Sequence, residues 1–219
     1  MIPPTLDVEG FVLAGGRSTR MGRDKAVIRL HGLTLVEAAL RKLRALPLGS
    51  MPRIAGGRPD LRDLAPVVQD LRPGCGPLSG MEAALTASSA PYNIFLPVDV
   101  PLAPVRLLAW MLERARVTGA QATFPRVHGR PEPLFAVYRP EALQRIGEAL
   151  DHGAYSVTEV FASRLSTSVK SIDIFDLEML ASVRPEIHDF SPLPLARWFM
   201  NCNSPEDLAA IVPWPAEVL

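Results

Sequence analysis

Cysteine is scarce in this chain: only Cys75 and Cys202 occur among 219 residues. Two cysteines do not make a disulfide framework, so stability has to come from a packed core in a reducing compartment. An excess of charge of either sign is lacking too. Lys plus Arg number 23 and Asp plus Glu number 23, so no broad field draws the chain to nucleic acid or anionic lipid. No apolar run approaches the roughly 20 residues that span a bilayer. The start, MIPPTLDVEG, has neither a basic n-region nor an apolar h-region, which argues against a signal peptide. Histidine is confined to His31, His128, His152 and His188. They are far apart and never at i, i+4, so no zinc motif forms. A G-x-S-x-G elbow, internal repeats and low-complexity segments are also missing. These absences predict a soluble cytoplasmic protein with neither nucleic acid nor membrane as partner.

Apolar residues make up 48% of the chain, which excludes disorder. A chain of this length buries roughly 70% of the surface that its unfolded form exposes. The 22 prolines and 15 glycines are spread throughout rather than gathered into a linker. The expectation is therefore one domain over 1–219.

Hydrophobic periodicity places the elements. Gly10–Ala14 is a short apolar run consistent with a buried strand, and Tyr92–Val98 is another. Pro52–Ala55 and Pro66–Gln69 are shorter candidates. Ala120–Phe124 and Leu134–Tyr138 complete the predicted strands. Helical spacing runs from Thr34 to Leu46, with Val36, Ala39, Leu40 and Leu43 on one face. It returns at Met81–Ala87, at Pro104–Arg116 (Leu107, Leu108, Met111, Leu112, Ala115) and at Glu141–Leu150 (Leu143, Ile146, Leu150). Strands alternating with helices predict an α/β fold with a mainly parallel sheet covered on both faces. Phe175–Trp198 mixes helical and loop-like patches and yields no clear element.

Three features fall at the carboxyl ends of predicted strands, where open α/β sheets bind ligands. The first is GGRSTRMGRDK, Gly15–Lys25. Its glycine pair lets backbone N–H groups approach an anion with no Cβ in between. Arg17, Arg20, Arg23 and Lys25 add the positive charge that phosphates need. The Walker A spacing is absent, because Lys25 lies three residues beyond Gly22 and Ala26 follows it.

The second is Asp70 with LRPGCGPLSG behind it. Gly74, Gly76 and Gly80 imitate a dinucleotide fingerprint, but Pro77 interrupts the turn and no acidic residue follows at the usual distance. It reads instead as a loop packed against nucleotide or substrate.

The third is Asp99 in LPVDVPL. A carboxylate that ends so apolar a strand is costly unless paired or metal-bound. It could cap the next helix, but Val100, Pro101 and Leu102 intervene. If Asp70 and Asp99 met near 4 Å, their repulsion of roughly 4 kcal/mol would be relieved by a divalent cation. Mg²⁺ favours one or two carboxylates plus substrate phosphates. Phosphoryl-type transfer needs no protein nucleophile, and positioning with charge neutralisation suffices.

LAGGRSTRMGRDK (Leu13–Lys25) closely resembles the signature of molybdenum cofactor guanylyltransferases. Gln69–Gly80, the LPVDVPL strand and the closing NCNSPEDL (Asn201–Leu208) agree in order and spacing. The resemblance runs from about Val8 to Leu208. It implies a three-layer, Rossmann-like nucleotidyltransferase fold with a nucleotide-binding half over 8–130 and an acceptor-side half over 131–219. It implies that GMP passes from GTP to the phosphate of molybdopterin with Mg²⁺ as cofactor, releasing pyrophosphate. Partners among molybdenum insertases or molybdoenzymes would receive the product.

Carried onto this sequence, Leu13, Ala14, Gly15 and Gly16 would hold base, ribose and phosphate. Lys25, helped by Arg20, would neutralise phosphate charge. Asp70 would contact the ribose or the guanine side, Asp99 would bind Mg²⁺, and Gly76–Gly80 would line the pocket. Leu-Ala-Gly-Gly and Asp24 before Lys25 resemble the GTP users rather than the cytidylyltransferases.

Two stretches depart from the pattern. Ile54–Arg58 (IAGGR) has no Asn near the guanine, and Glu132-Pro133 stands where relatives have His-Pro or Gln-Pro. Other acceptors or bases (CTP with molybdopterin, or a sugar phosphate) and a non-catalytic paralogue are the alternatives.

Overall fold

The computed structural model describes residues 7–15, 24–162 and 172–214. Its centre is a mixed, largely parallel sheet. Strand β1 (Val8–Leu13) leads toward the loop that carries Lys25. A small antiparallel pair follows, β2 (Arg29–Leu30) and β3 (Leu33–Thr34), and then helix α1 (Leu35–Arg44). Strand β4 (Arg53–Ala55), strand β5 (Val67–Val68), helix α2 (Pro77–Ala87) and strand β6 (Tyr92–Pro97) come next. Helix α3 (Val105–Thr118) leads into β7 (Ala122–Val127), β8 (Arg130–Pro131) and β9 (Ala136–Tyr138). Helices α4 (Ala142–Asp151) and α5 (Val157–Ala162) precede β10 (Ile172–Asp176), α6 (Leu177–Val183) and α7 (Pro205–Ile211).

The spatial order is β10-β7-β9-β6-β1-β4-β5, with β8 paired to β7. β1 runs parallel to β4 and β6, β4 to β5, and β10 to β7. β9 is antiparallel to both β6 and β7. The predicted mainly parallel sheet is thus present, with β9 and β8 as its antiparallel members. Strand alternation divides the core in two. Val12, Ile94 and Leu96 join one buried cluster with α1 and α3, whereas Phe11, Leu13 and Phe95 join another with α2 and α4. These are the three layers that the resemblance implies.

Local chemistry sets several boundaries. Thr34 and Glu37 cap α1 reciprocally: the Glu37 N–H donates to Thr34 Oγ1 at 3.3 Å, and the Thr34 N–H donates to Glu37 Oε2 at 2.7 Å. The Thr34 N–H and the Thr34 hydroxyl, each donating to Glu37 Oε2 at 2.7 Å, hold the Glu37 carboxyl below its usual range. Helix α2 begins four residues earlier than its small-residue core suggests, because Pro77 is preorganised for a first turn. The predicted inner faces of α1 and α3 are buried throughout, while on α4 Ala142 is buried in the place expected for Leu143. In the unclear stretch Phe175–Trp198, Phe175 and Asp176 end β10, α6 follows, and two 3₁₀ turns cover Pro185–Phe190 and Leu195–Arg197. Among the described residues no helix is long and apolar enough to cross a membrane.

Candidate active site

A cleft opens at the carboxyl ends of β1, β4 and β6. Leu13, Ala14, Gly15 and Lys25 line it from one side, Gly56 and Gly80 from another, and Asp99 closes the end of β6. Features far apart in sequence therefore converge as sheet topology predicts. Gly16 and Arg20, the remaining members of the predicted loop set, lie outside the described residues.

Three backbone segments meet at glycines. A Cβ on Gly15 would sit 3.0 Å from Gly56 Cα, and one on Gly56 would sit 2.5 Å from the Gly15 nitrogen. A Cβ on Gly80 would lie 3.2 Å from the Gly56 nitrogen. Gly56 also holds φ +111°, which L side chains rarely adopt. The residue type missing from Ile54–Arg58 is explained here: the position after β4 has no room for a side chain. Gly76, by contrast, precedes the first turn of α2 with φ +68°, is exposed, and is not part of the cleft lining.

Asp70 lies just beyond Gly57, where a Cβ would come within 3.3 Å of its Oδ2. Its Oδ1 is buried with no hydrogen-bond partner among the described residues. Burial alone pushes its carboxyl up. Asp70 does not join Asp99 in lining the cleft, so the pairing of these two carboxylates considered from sequence is not what the structure shows. The reason is topological. β5 and β6 are separated by β1 and β4, three strand spacings of about 4.8 Å each.

The neighbours of Asp99 are different. Its Oδ2 lies 3.6 Å from Lys25 Nζ, with the two side chains 28% and 24% exposed. Burial pushes the Asp99 carboxyl up, and Lys25 partly offsets this. Lys25 also donates to Asn203 Oδ1. The second carboxylate near Asp99 is Glu132, raised to about 7 by burial and by the Asp99 charge. Arg130 acts on Glu132 in the opposite sense, and Lys25 is the cation that meets Asp99. The Cys202 backbone N–H donates to the Asp99 carbonyl at 2.8 Å, and the Cys202 thiol is pushed up to about 11, mainly by burial. It is no thiolate nucleophile.

Arg58 anchors the loop entrance. Its Nη1 lies 3.1 Å from Asp24 Oδ1 and 3.2 Å from the Ala14 carbonyl oxygen, and Asp60 lies 2.7 Å from Nη2. Asp24 in turn accepts from the Ala26 N–H at 3.0 Å and starts the 3₁₀ turn Lys25–Val27. Sequence reasoning assigned no role to Arg58, Glu132, Leu134 or Asn203. Asn203 had a signal, since it sits in the NCNSPEDL segment, whose Ser204 caps α7. Arg58 and Glu132 lie in the two stretches that depart from the family pattern, but the partners Asp24 and Asp99 that give them a place here are distant in the chain.

The family description "MobA-like NTP transferase domain" matches residues 10–168. The chain belongs to this family. It is a nucleotidyltransferase. A Natronomonas pharaonis protein named "Probable molybdenum cofactor guanylyltransferase" is 32% identical over 210 residues, 91% of this chain and 94% of its own length. A Serratia proteamaculans "Molybdenum cofactor guanylyltransferase" is 32% identical over 154 residues, 67% of this chain and 75% of its own. Among solved structures, "Molybdopterin-guanine dinucleotide biosynthesis protein A" from Archaeoglobus fulgidus superposes with a TM-score of 0.73 at 24% identity, covering 94% of this chain and 97% of that one. That likeness shows that the nucleotidyltransferase fold is shared.

Proposed function

We propose that this protein transfers GMP from GTP to the phosphate of molybdopterin, releasing pyrophosphate and forming the guanine dinucleotide cofactor. One observation carries the reading: the glycine junction, Lys25 and Asp99 share one cleft at the strand ends. An oxygen of the acceptor phosphate attacks the α-phosphorus. The bond from that phosphorus to the β-bridging oxygen breaks, and the electron pair leaves with pyrophosphate. Such a step is carried by alignment and charge neutralisation.

Leu13, Ala14, Gly15 and Gly16 hold the nucleotide. Gly56 and Gly80 contribute side-chain-free backbone to the same wall, beside the first turn of α2 that Gly76 precedes. Lys25, with Arg20, neutralises phosphate charge as it shifts toward pyrophosphate. Asp70 is assigned the ribose or guanine side of the nucleotide, since its carboxylate accepts N–H and O–H donors and sits beside Gly57 and Gly80 at the glycine junction.

Mg²⁺ fits the donor chemistry of this site, because the desolvated Asp99 carboxylate lines the cleft and one or two carboxylates with phosphates and water are its usual company. Asp99 would hold it, and when bound it would supply charge neutralisation at the phosphates. Leu134 in the cleft and Asn203 on Lys25 come from beyond residue 131, which supports one working domain over 1–219 with an acceptor-side half. A cytoplasmic location, with a molybdenum insertase or molybdoenzyme as the onward partner, completes the proposal.

The test is thermal stabilisation by GTP, CTP, ATP and UTP with and without Mg²⁺, followed by product analysis with molybdopterin. GTP-selective, Mg²⁺-dependent stabilisation and a guanine dinucleotide product are expected. CTP preference, or dinucleotide formation only with another acceptor, would replace the assignment.

A further inference from the structure

Helix α1 carries a lysine on its inner face. Lys42 is 5% exposed, although its neighbours on that face are Ala38, Ala39 and Leu43. Among the described residues no carboxylate pairs with it. Its amine instead donates to the carbonyl oxygens of Pro101 and Ala103, the latter at 2.7 Å. Burial pushes the ammonium down to about 7. A neutral amine still has two N–H donors and there are two acceptors, so both contacts persist in either protonation state.

The acceptors belong to the turn that directly follows Asp99. Residues 100–104 are buried, and a buried loop needs partners for its backbone groups. Pro101 and Pro104 remove two N–H groups from this turn, and its internal bonding is limited to Ala103 N–H to Val100 O at 3.1 Å. An outside donor is required, and Lys42 supplies it. The same helix abuts the segment that carries Lys25, where the Leu35 N–H donates to the Ile28 carbonyl at 2.9 Å. Lys42 therefore joins the element behind Lys25 to the turn behind Asp99.

We propose that Lys42 is a positioning residue for the Lys25–Asp99 pair. It touches no substrate. By tying α1 to the 100–104 turn, it sets where the Asp99 carboxylate points in the cleft. The inference rests on the reading of Asp99 as the cation-binding carboxylate. A leucine at this position would fill the space and leave two carbonyls without donors, which explains why a polar residue interrupts this apolar face.

The test compares the full-length wild type with Lys42→Met, Lys42→Arg and Asp99→Asn. Mn²⁺ affinity is measured by electron paramagnetic resonance, with and without GTP, well below the melting temperature of each variant. Lys42→Met is expected to bind Mn²⁺ about tenfold more weakly, and Lys42→Arg, which keeps the donors, to recover most of that loss. Should Lys42→Met fail to fold, Lys42→Gln carries the comparison, and its shorter side chain with a donating amide is expected to give a smaller loss of Mn²⁺ affinity in the same direction. A lowered melting temperature with unchanged Mn²⁺ affinity would show a merely structural lysine and overturn the proposal. If Asp99→Asn also binds Mn²⁺ normally, the cation reading of Asp99 has failed and the proposal falls with it. If only Asp99→Asn is weakened, the proposal alone falls.

Discussion

Gly56→Ala adds one methyl group where three backbone segments already touch. The new Cβ would lie 2.5 Å from the Gly15 nitrogen and 2.6 Å from the Gly15 Cα. Both are backbone atoms, anchored by the β1–β4 pairing of Leu13 with Ala55. Neither can swing aside as a side chain could. The φ of +111° adds its own strain, about 1–3 kcal/mol for a non-glycine residue. Overpacking adds about 1–3 kcal/mol more. Together they suggest about 4 kcal/mol, a large share of the roughly 5–15 kcal/mol that holds a folded chain together.

For a chain of this size that loss lowers Tm by about 8–16 °C. Thermal unfolding measures it directly, and nucleotide titration below the lowered Tm shows whether the Gly15 wall has moved. Gly147→Ala in α4 is the control. Nothing lies within 4 Å of its added Cβ, and removing a helical glycine should stabilise by about 0.5–1 kcal/mol. A Gly56→Ala protein with wild-type Tm and wild-type GTP affinity would refute the glycine-junction argument.

Three further outcomes are expected. Asp99→Ala should retain its fold, judged by circular dichroism, and lose turnover by roughly a thousandfold or more; near wild-type turnover would remove Asp99 from the cation site. Lys25→Ala should lower kcat/KM by about 10²–10³, because an interaction strengthened in the transition state is lost; an unchanged kcat/KM would end its assigned role. Glu132→Gln should change the pH dependence of stability. The folded carboxyl titrates near 7 and the ordinary value is 4.5, so the folded state holds a proton that the unfolded state has released between those values. Stability therefore falls as pH rises through this window. Because Glu132 is partly open to solvent, the gain on replacing it with Gln is discounted to about 1–2 kcal/mol at pH 8, vanishing near pH 4. Melting curves without divalent cations, showing the same difference at both pH values, would contradict this.

The apolar runs of β1 and β6 and the inner faces of α1 and α3 were legible in the sequence, because each is a local pattern of period 2 or 3.6. The Gly15–Lys25 loop was legible for a similar reason: glycines beside clustered cations announce phosphate chemistry within eleven consecutive residues. The placement of Asp70 and Asp99 after strands was legible as well, and with it their arrival on one edge of the sheet.

What the tertiary structure alone decided is which of these residues meet. Strand order keeps Asp70 away from Asp99 and brings Glu132 there instead, although the chain separates Glu132 from Asp99 by α3 and two strands. It sets Gly56 against Gly15, so that a glycine which looked like a departure from the family pattern becomes a steric requirement. It takes Asn203 to Lys25 and Lys42 to the turn behind Asp99. Periodicity along the chain reports which face of an element is inward. It says nothing about what that face will touch, because the partner is chosen by sheet order, and sheet order is a property of the whole chain.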